Sequence, residues 1–128
     1  MVVDTSAVLG ILLKEPDALA LLRKMASAPS RLMSAVNFME ATVVLDSRLG
    51  PEGGNDVEDL LAATNVQIIP VRVEHARLAR EAYRRFGKGY HGAKLNLADC
   101  FAYALAVETG EPLLFKGDDF AQTDVRVA

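Results

Sequence analysis

Short apolar stretches alternate with segments of helical spacing along this chain, and that alternation restricts the fold more than any other feature. Met1 to Val3 reads as a buried strand, and RLMS at 31–34, VQIIPV at 66–71 and PLLF at 112–115 repeat the pattern. DVRV at 124–127 predicts a last, short edge strand. The intervening segments place apolar residues three and four apart, as in AVLGILLK, DALALLRKMASA, AVNFMEATVVLDSRL, DVEDLLAAT, VEHARLAREAYRRF and LADCFAYALAVET, which is the period of an amphipathic helix. Parallel strands need long crossover connections, and helices supply them. The expected architecture is a three-layer α/β/α sandwich around a central, mostly parallel sheet of four to five strands.

Local signals punctuate these elements. Thr5 or Ser6 offers a hydroxyl cap to the first helix and Ser34 to the third, and Asn96 is placed to cap the last. Asn55 with Glu58 makes a capping-box-like start. Pro16 opens the second helix, and Gly50, Gly87 and Gly110 stand where helices stop.

With 128 residues the chain fits one domain, residues 1–128, and 51% apolar against 24% charged residues suits a packed core. No apolar run approaches the ~20 residues of a membrane span and no basic stretch precedes an apolar one, so a cytoplasmic protein without membrane contact is expected. The single cysteine, Cys100, can form no internal disulfide and reads as a buried apolar side chain. The net charge of −3 argues against indiscriminate nucleic-acid binding. Its distribution is uneven: seven of the fourteen basic residues lie between Arg72 and Lys94, against only Glu74 and Glu81.

Several acids occupy places where a solvated charge is unexpected. Asp4 follows three apolar residues directly. Glu40 falls beside Val36, Val43 and Val44 on a helical projection, which predicts that it lies on the apolar stripe. Asp99 opens the most apolar helix, and Asp118 and Asp119 follow the strand LLF. In a parallel α/β sheet the crevice beyond the carboxyl ends of the strands collects loops and helix starts, so these positions converge on one edge. Clustered carboxylates repel and raise one another's pKa unless a cation neutralises them. Oxygen ligands without an accompanying histidine or cysteine point to Mg2+ or Mn2+ and away from zinc. Singly, Asp4 and Asp99 also fit helix caps and Asp118 and Asp119 fit turns.

Four stretches, VVDTSAVLGIL, SAVNFMEATVVLDSRLG, YRRFGKGYHGAKLNLADCFAYALA and PLLFKGDDFAQTDV, resemble PIN-domain ribonucleases, and most closely the VapC-type toxins of type II toxin–antitoxin pairs. The resemblance covers essentially the whole chain. It implies a PIN-like, Rossmann-like sheet, an Mg2+- or Mn2+-dependent endoribonuclease acting on RNA, homodimerisation, and neutralisation by a cognate VapB-type antitoxin. By position it carries over Asp4, Glu40 and Asp99, with Asp4 and Asp99 as direct metal ligands. Where many relatives have a Thr-Arg-Asp type sequence this chain has Lys116 and Gly117, and the fourth acid is expected at Asp119, with Asp118 as its substitute. Ser6 matches a position beside the metal pocket, and Asn96 is close enough to help orient it.

The cationic segment then acquires a use, since lysine and arginine contacts to phosphate offset the repulsion between an acidic site and RNA. Arg84, Arg85, Lys88, His91 and Lys94 are the candidates; a solvated helix face is the plain alternative, and Tyr83 and Tyr90 could stack on bases. One other enzyme class and one signalling module compete. Haloacid-dehalogenase-like phosphatases need a second acid where Ser6 stands. Receiver domains need an aspartate ending a middle strand, and neither RLMS nor VQIIPV has one. A catalytically inactive PIN-like module that binds RNA or protein would not need four acids.

Overall fold

The computed structural model describes residues 1–128, and its strands are short, two or three residues each, in a small sheet whose edge strand is partly exposed. In chain order the elements are β1 (Val2–Val3), α1 (Thr5–Leu12), α2 (Ala18–Ser27), β2 (Leu32–Ser34), α3 (Ala35–Leu49), α4 (Asn55–Ala63), β3 (Gln67–Ile69), α5 (Val73–Phe86), α6 (Leu97–Thr109) and β4 (Leu113–Leu114). A 3-10 turn at Phe120–Gln122 follows. The four strands are all parallel in the order β3-β2-β1-β4.

Strand side chains alternate faces, and the two halves of the core follow from that. Val2 and Leu113 enter the layer of α5 and α6, with Phe86, Leu95, Tyr103 and Leu105. Val3, Met33 and Leu114 enter the other layer, built from α1 to α4 with Val8, Met25, Leu45 and Val57. Helices on both faces bury the sheet, as parallel strands require. Burial also pushes the Cys100 thiol up to about 12, so it serves as a small apolar side chain. No helix is long and apolar enough to cross a membrane.

Several local expectations hold. Ser34 caps α3 by accepting from the Val36 N–H, Asn96 caps α6, and Gly110 follows α6 at φ 69°, a left-handed conformation that glycine adopts without a Cβ clash. Others are corrected. The cap of α1 is Asp4 itself, whose carboxylate accepts from the Ser6 N–H. Asn55 lies inside α4 rather than before it, and the Gly54 N–H is satisfied instead by Asp46 Oδ1 at 2.7 Å. DVRV contributes a single bridge, Val127 to Leu113, because its carbonyls and amides reach β4 at one point only.

The largest correction concerns α3. Its buried face is Asn37, Ala41 and Leu45, whereas Val43 is 53% exposed and Glu40 sits half-buried at the border. The helix is wedged against α1 and α6, and that close approach favours the narrow Asn37 and Ala41 over the valines.

Candidate active site

β1 delivers Asp4 to the carboxyl edge of the sheet and locks its backbone there, the Asp4 N–H donating to the Leu114 carbonyl at 2.9 Å. The side chain is 2% exposed. Its Oδ2 accepts from the Ser6 N–H at 2.9 Å and from the Ser6 hydroxyl at 2.6 Å. Burial raises its pKa to about 6; the Ser6 bonds oppose that rise and the charge of Glu40 adds to it.

Asp99 stands in the first turn of α6. It and Asn96 cap each other: the Asn96 N–H donates to Asp99 Oδ2 at 2.9 Å, and the Asp99 N–H donates to Asn96 Oδ1 at 2.8 Å. The helix-cap readings of Asp4 and Asp99 are therefore true, and they coexist with a second property. Burial raises the Asp99 pKa to about 7, the Asn96 N–H opposes this, and the charges of Asp4, Glu40 and Asp119 reinforce it. Four acids from β1, α3, α6 and the segment after β4 thus act on one another. Asp119 is the member of the exposed Asp118/Asp119 pair whose charge is felt at Asp99.

These carboxylates share a field without forming a ready-made cage: no three of them stand close enough to hold one ion together. Their chemistry nevertheless fits a hard divalent cation, because the donors are all carboxylate oxygens and two of them have pKa values that a neighbouring positive charge would lower. Ser6 sits where a phosphatase of the haloacid type would need its second acid, and its hydroxyl hydrogen is already committed to Asp4.

One member of the site escapes the sequence reading. Asn37 is fully buried, and its Nδ2 donates to Asp4 Oδ1 at 3.3 Å, to Thr5 Oγ1 at 3.2 Å and to the Ala98 carbonyl at 3.1 Å. The Thr5 hydroxyl returns a bond to the Asn37 carbonyl at 3.2 Å. A neutral amide one turn before Glu40, on the same stripe as Ala41 and Leu45, was the available signal.

The cationic segment divides into free and engaged residues. Arg77, Arg80 and Arg84 are exposed on α5, and Arg80 and Arg84 also border a groove of about 610 Å3 walled by Tyr83, Tyr90, Leu97 and Phe101. Arg85 is already engaged, donating to Asp124 Oδ2 at 2.8 Å and to the Tyr103 hydroxyl at 3.3 Å. Lys88, His91 and Lys94 stand exposed on the α5–α6 loop, where His91 Nδ1 accepts from the Ala93 N–H at 3.0 Å. The Tyr83 and Tyr90 rings meet edge to face at 5.8 Å.

The PIN domain family model matches residues 1–126. The chain belongs to the PIN domain family. Among curated relatives, Ribonuclease VapC of Mycolicibacterium smegmatis is 48% identical over 125 residues, covering 98% of this chain and 97% of the relative. Ribonuclease VapC42 of Mycobacterium tuberculosis is 44% identical over 129 residues, covering 100% of this chain and 98% of the relative. This PIN domain therefore groups with the VapC-type members. Solved structures share its fold at low identity. The VapC20 toxin of Mycobacterium tuberculosis, described as cleaving the sarcin-ricin loop, superposes with a TM-score of 0.81 at 18% identity, covering 99% of this chain and 97% of that one. A toxin–antitoxin complex from Klebsiella pneumoniae gives 0.72 at 20% identity, covering 99% and 95%. The PIN fold thus accounts for the four-stranded parallel sheet with six helices.

Proposed function

We propose that this protein is the endoribonuclease toxin of a type II toxin–antitoxin pair, hydrolysing RNA phosphodiesters with Mg2+ or Mn2+ and restrained by a cognate VapB-type antitoxin. The observation that carries the reading is 48% identity to a VapC ribonuclease along almost its whole length, in a chain whose Asp4, Glu40, Asp99 and Asp119 interact electrostatically. Asp4 and Asp99 are the residues to hold the cation, and Glu40 and Asp119 complete the acidic rim. When bound, such a cation activates water and stabilises charge on the phosphate and the leaving oxygen.

The chain's own residues have definable parts in that chemistry. Ser6 fixes Asp4, and Asn96 fixes Asp99, so that neither carboxylate swings away as the substrate approaches. Arg80, Arg84, Lys88 and Lys94 provide exposed positive charge, with His91 beside them as a polar contact, favouring a polyanion. Homodimerisation in the cytoplasm belongs to the same proposal, and Met39, Val43 and Leu97 leave apolar surface exposed on α3 and α6 for a second copy. Cleavage of RNA by the purified protein with Mg2+ or Mn2+ tests the reading, with Asp4→Asn and Asp99→Asn as controls. Cleavage that persists undiminished in both variants would refute it.

A further inference from the structure

Asn37 leaves Asp4 with a single direction open. A carboxylate offers about four lone-pair positions, two on each oxygen. On Asp4 the Ser6 N–H at 2.9 Å and the Ser6 hydroxyl at 2.6 Å use both positions of Oδ2, and the Asn37 amide at 3.3 Å uses one of Oδ1. The Thr5 N–H lies near the same carboxylate without forming an aligned bond, so one lone pair of Oδ1 remains.

The same amide also reaches α6. Asn37 Nδ2 donates to the Ala98 carbonyl at 3.1 Å, and Ala98 immediately precedes Asp99. A single buried group therefore ties the strand that carries Asp4, the helix that carries Glu40 and the turn that carries Asp99. Its own Oδ1 has no hydrogen-bond partner. An unpartnered buried carbonyl lowers stability, and an apolar side chain of similar size would avoid the cost. The amide hydrogens serve the fold, and the unpartnered carbonyl is a cost that fold stability alone does not explain.

We infer that Asn37 is a positioning residue for the cation site: its amide hydrogen occupies one lone pair of Asp4 Oδ1, so that Asp4 binds the metal through the other, in register with Asp99. This rests on the proposal that Asp4 and Asp99 are the cation ligands. It adds an uncharged residue to the acidic set and makes Asp4 a ligand through one oxygen only.

Manganese binding by the purified full-length chain, measured calorimetrically without RNA, tests the inference. Asn37→Leu keeps the branched outline, adds bulk where α3 meets α1 and α6, and removes the amide. Its melting temperature in chelator is expected to fall, since buried acceptors on Asp4, Thr5 and Ala98 lose a donor, while Mn2+ affinity of the folded protein falls about tenfold or more, as with other supports of metal ligands. Asp4→Asn is run beside it. If Asp4→Asn binds Mn2+ like the unaltered protein, the ligand assignment itself is wrong. If Asp4→Asn loses binding and Asn37→Leu keeps full affinity, the role of Asn37 alone is overturned. Should Asn37→Leu not fold, Asn37→Ser decides: its hydroxyl is too short to reach Asp4, so the same loss supports the inference and full affinity refutes it.

Discussion

The backbone N–H of Lys116 donates to the Ser6 hydroxyl oxygen at 2.9 Å, joining residues 110 positions apart. Because the same hydroxyl donates to Asp4 Oδ2 at 2.6 Å, the segment after β4 reaches the buried acid through one oxygen atom. The Lys116 side chain meanwhile pairs with Glu15 and with Asp17 at 2.9 Å, anchoring that segment to the turn before α2. Ser6 is thus fixed from both sides, and Asp4 is fixed through it.

Ser6→Ala removes the relay and leaves the backbone bond from the Ser6 N–H to Asp4. The expected result is a fall in RNA cleavage of about 10- to 100-fold with weaker Mn2+ binding, the range seen when supports of metal ligands are lost. Parallel cleavage and calorimetric titrations check this. Unchanged values in both would remove Ser6 from the site.

The acids also set a pH dependence. In the folded chain Asp4 titrates at about 6 and Asp99 at about 7, both above the ordinary 3.8. As pH rises, the unfolded chain releases these protons first, so the native state holds more protons from 3.8 to about 6 for Asp4 and to about 7 for Asp99. Stability of the metal-free protein therefore falls across those windows and the loss is complete above them. Asp99→Asn keeps an acceptor for the Asn96 N–H and removes the titration, so at about pH 8 it is expected to melt above the unaltered protein while losing cleavage. Thermal melts in chelator across this range measure the effect, and a variant melting lower at high pH would contradict it.

Which of these features were legible beforehand follows from the physics of each. The strand–helix alternation was readable because side-chain periodicity is a local property, and Asp4 and Asp99 stood out because an acid adjoining an apolar run is locally anomalous. Glu40 lies half-buried at the border of the inward face, where its charge reaches Asp4 and Asp99, while Val43 on the expected stripe is exposed. Hydrophobicity points α3 inward along its valines, yet contact with α1 and α6 selects Asn37 and Ala41, a decision made between elements that sequence spacing does not record. Asn37 was missed for the same reason, since a neutral amide reveals its role only when Thr5, Asp4 and Ala98 surround it. The reduction of DVRV to one bridge likewise depends on where the chain crosses β4.

A cation that binds only the folded chain stabilises it by mass action, by roughly 2.7 kcal/mol at a hundredfold excess over its dissociation constant. Mg2+ and Mn2+ are therefore expected to raise the melting temperature in a concentration-dependent way that chelator reverses, and to do so far less in Asp4→Asn. Cleavage is expected to stop in chelator and return with either ion. A melting curve indifferent to both ions over the concentrations that support cleavage would argue against binding at these acids.

The two adjacent arginines at the end of α5 separate electrostatic contact with RNA from support of the fold. Arg84 is exposed beside the groove walled by Tyr83 and Tyr90 and has no acidic partner, whereas Arg85 is held by Asp124 and the Tyr103 hydroxyl. A free cation that contacts phosphate releases counterions, so removing it should weaken binding and reduce the slope of log affinity against log salt by about 1. Arg84→Ala is expected to do this without changing the melting temperature. Arg85→Ala should leave the slope unaltered, because its charge is already shared with a carboxylate, and should instead loosen residues around Asp124, read as faster amide exchange there. RNA binding by the Asp99→Asn background, titrated at several salt concentrations, distinguishes the two. Equal slopes for Arg84→Ala and the unaltered basic face would show that the exposed cations of α5 do not meet the phosphate backbone.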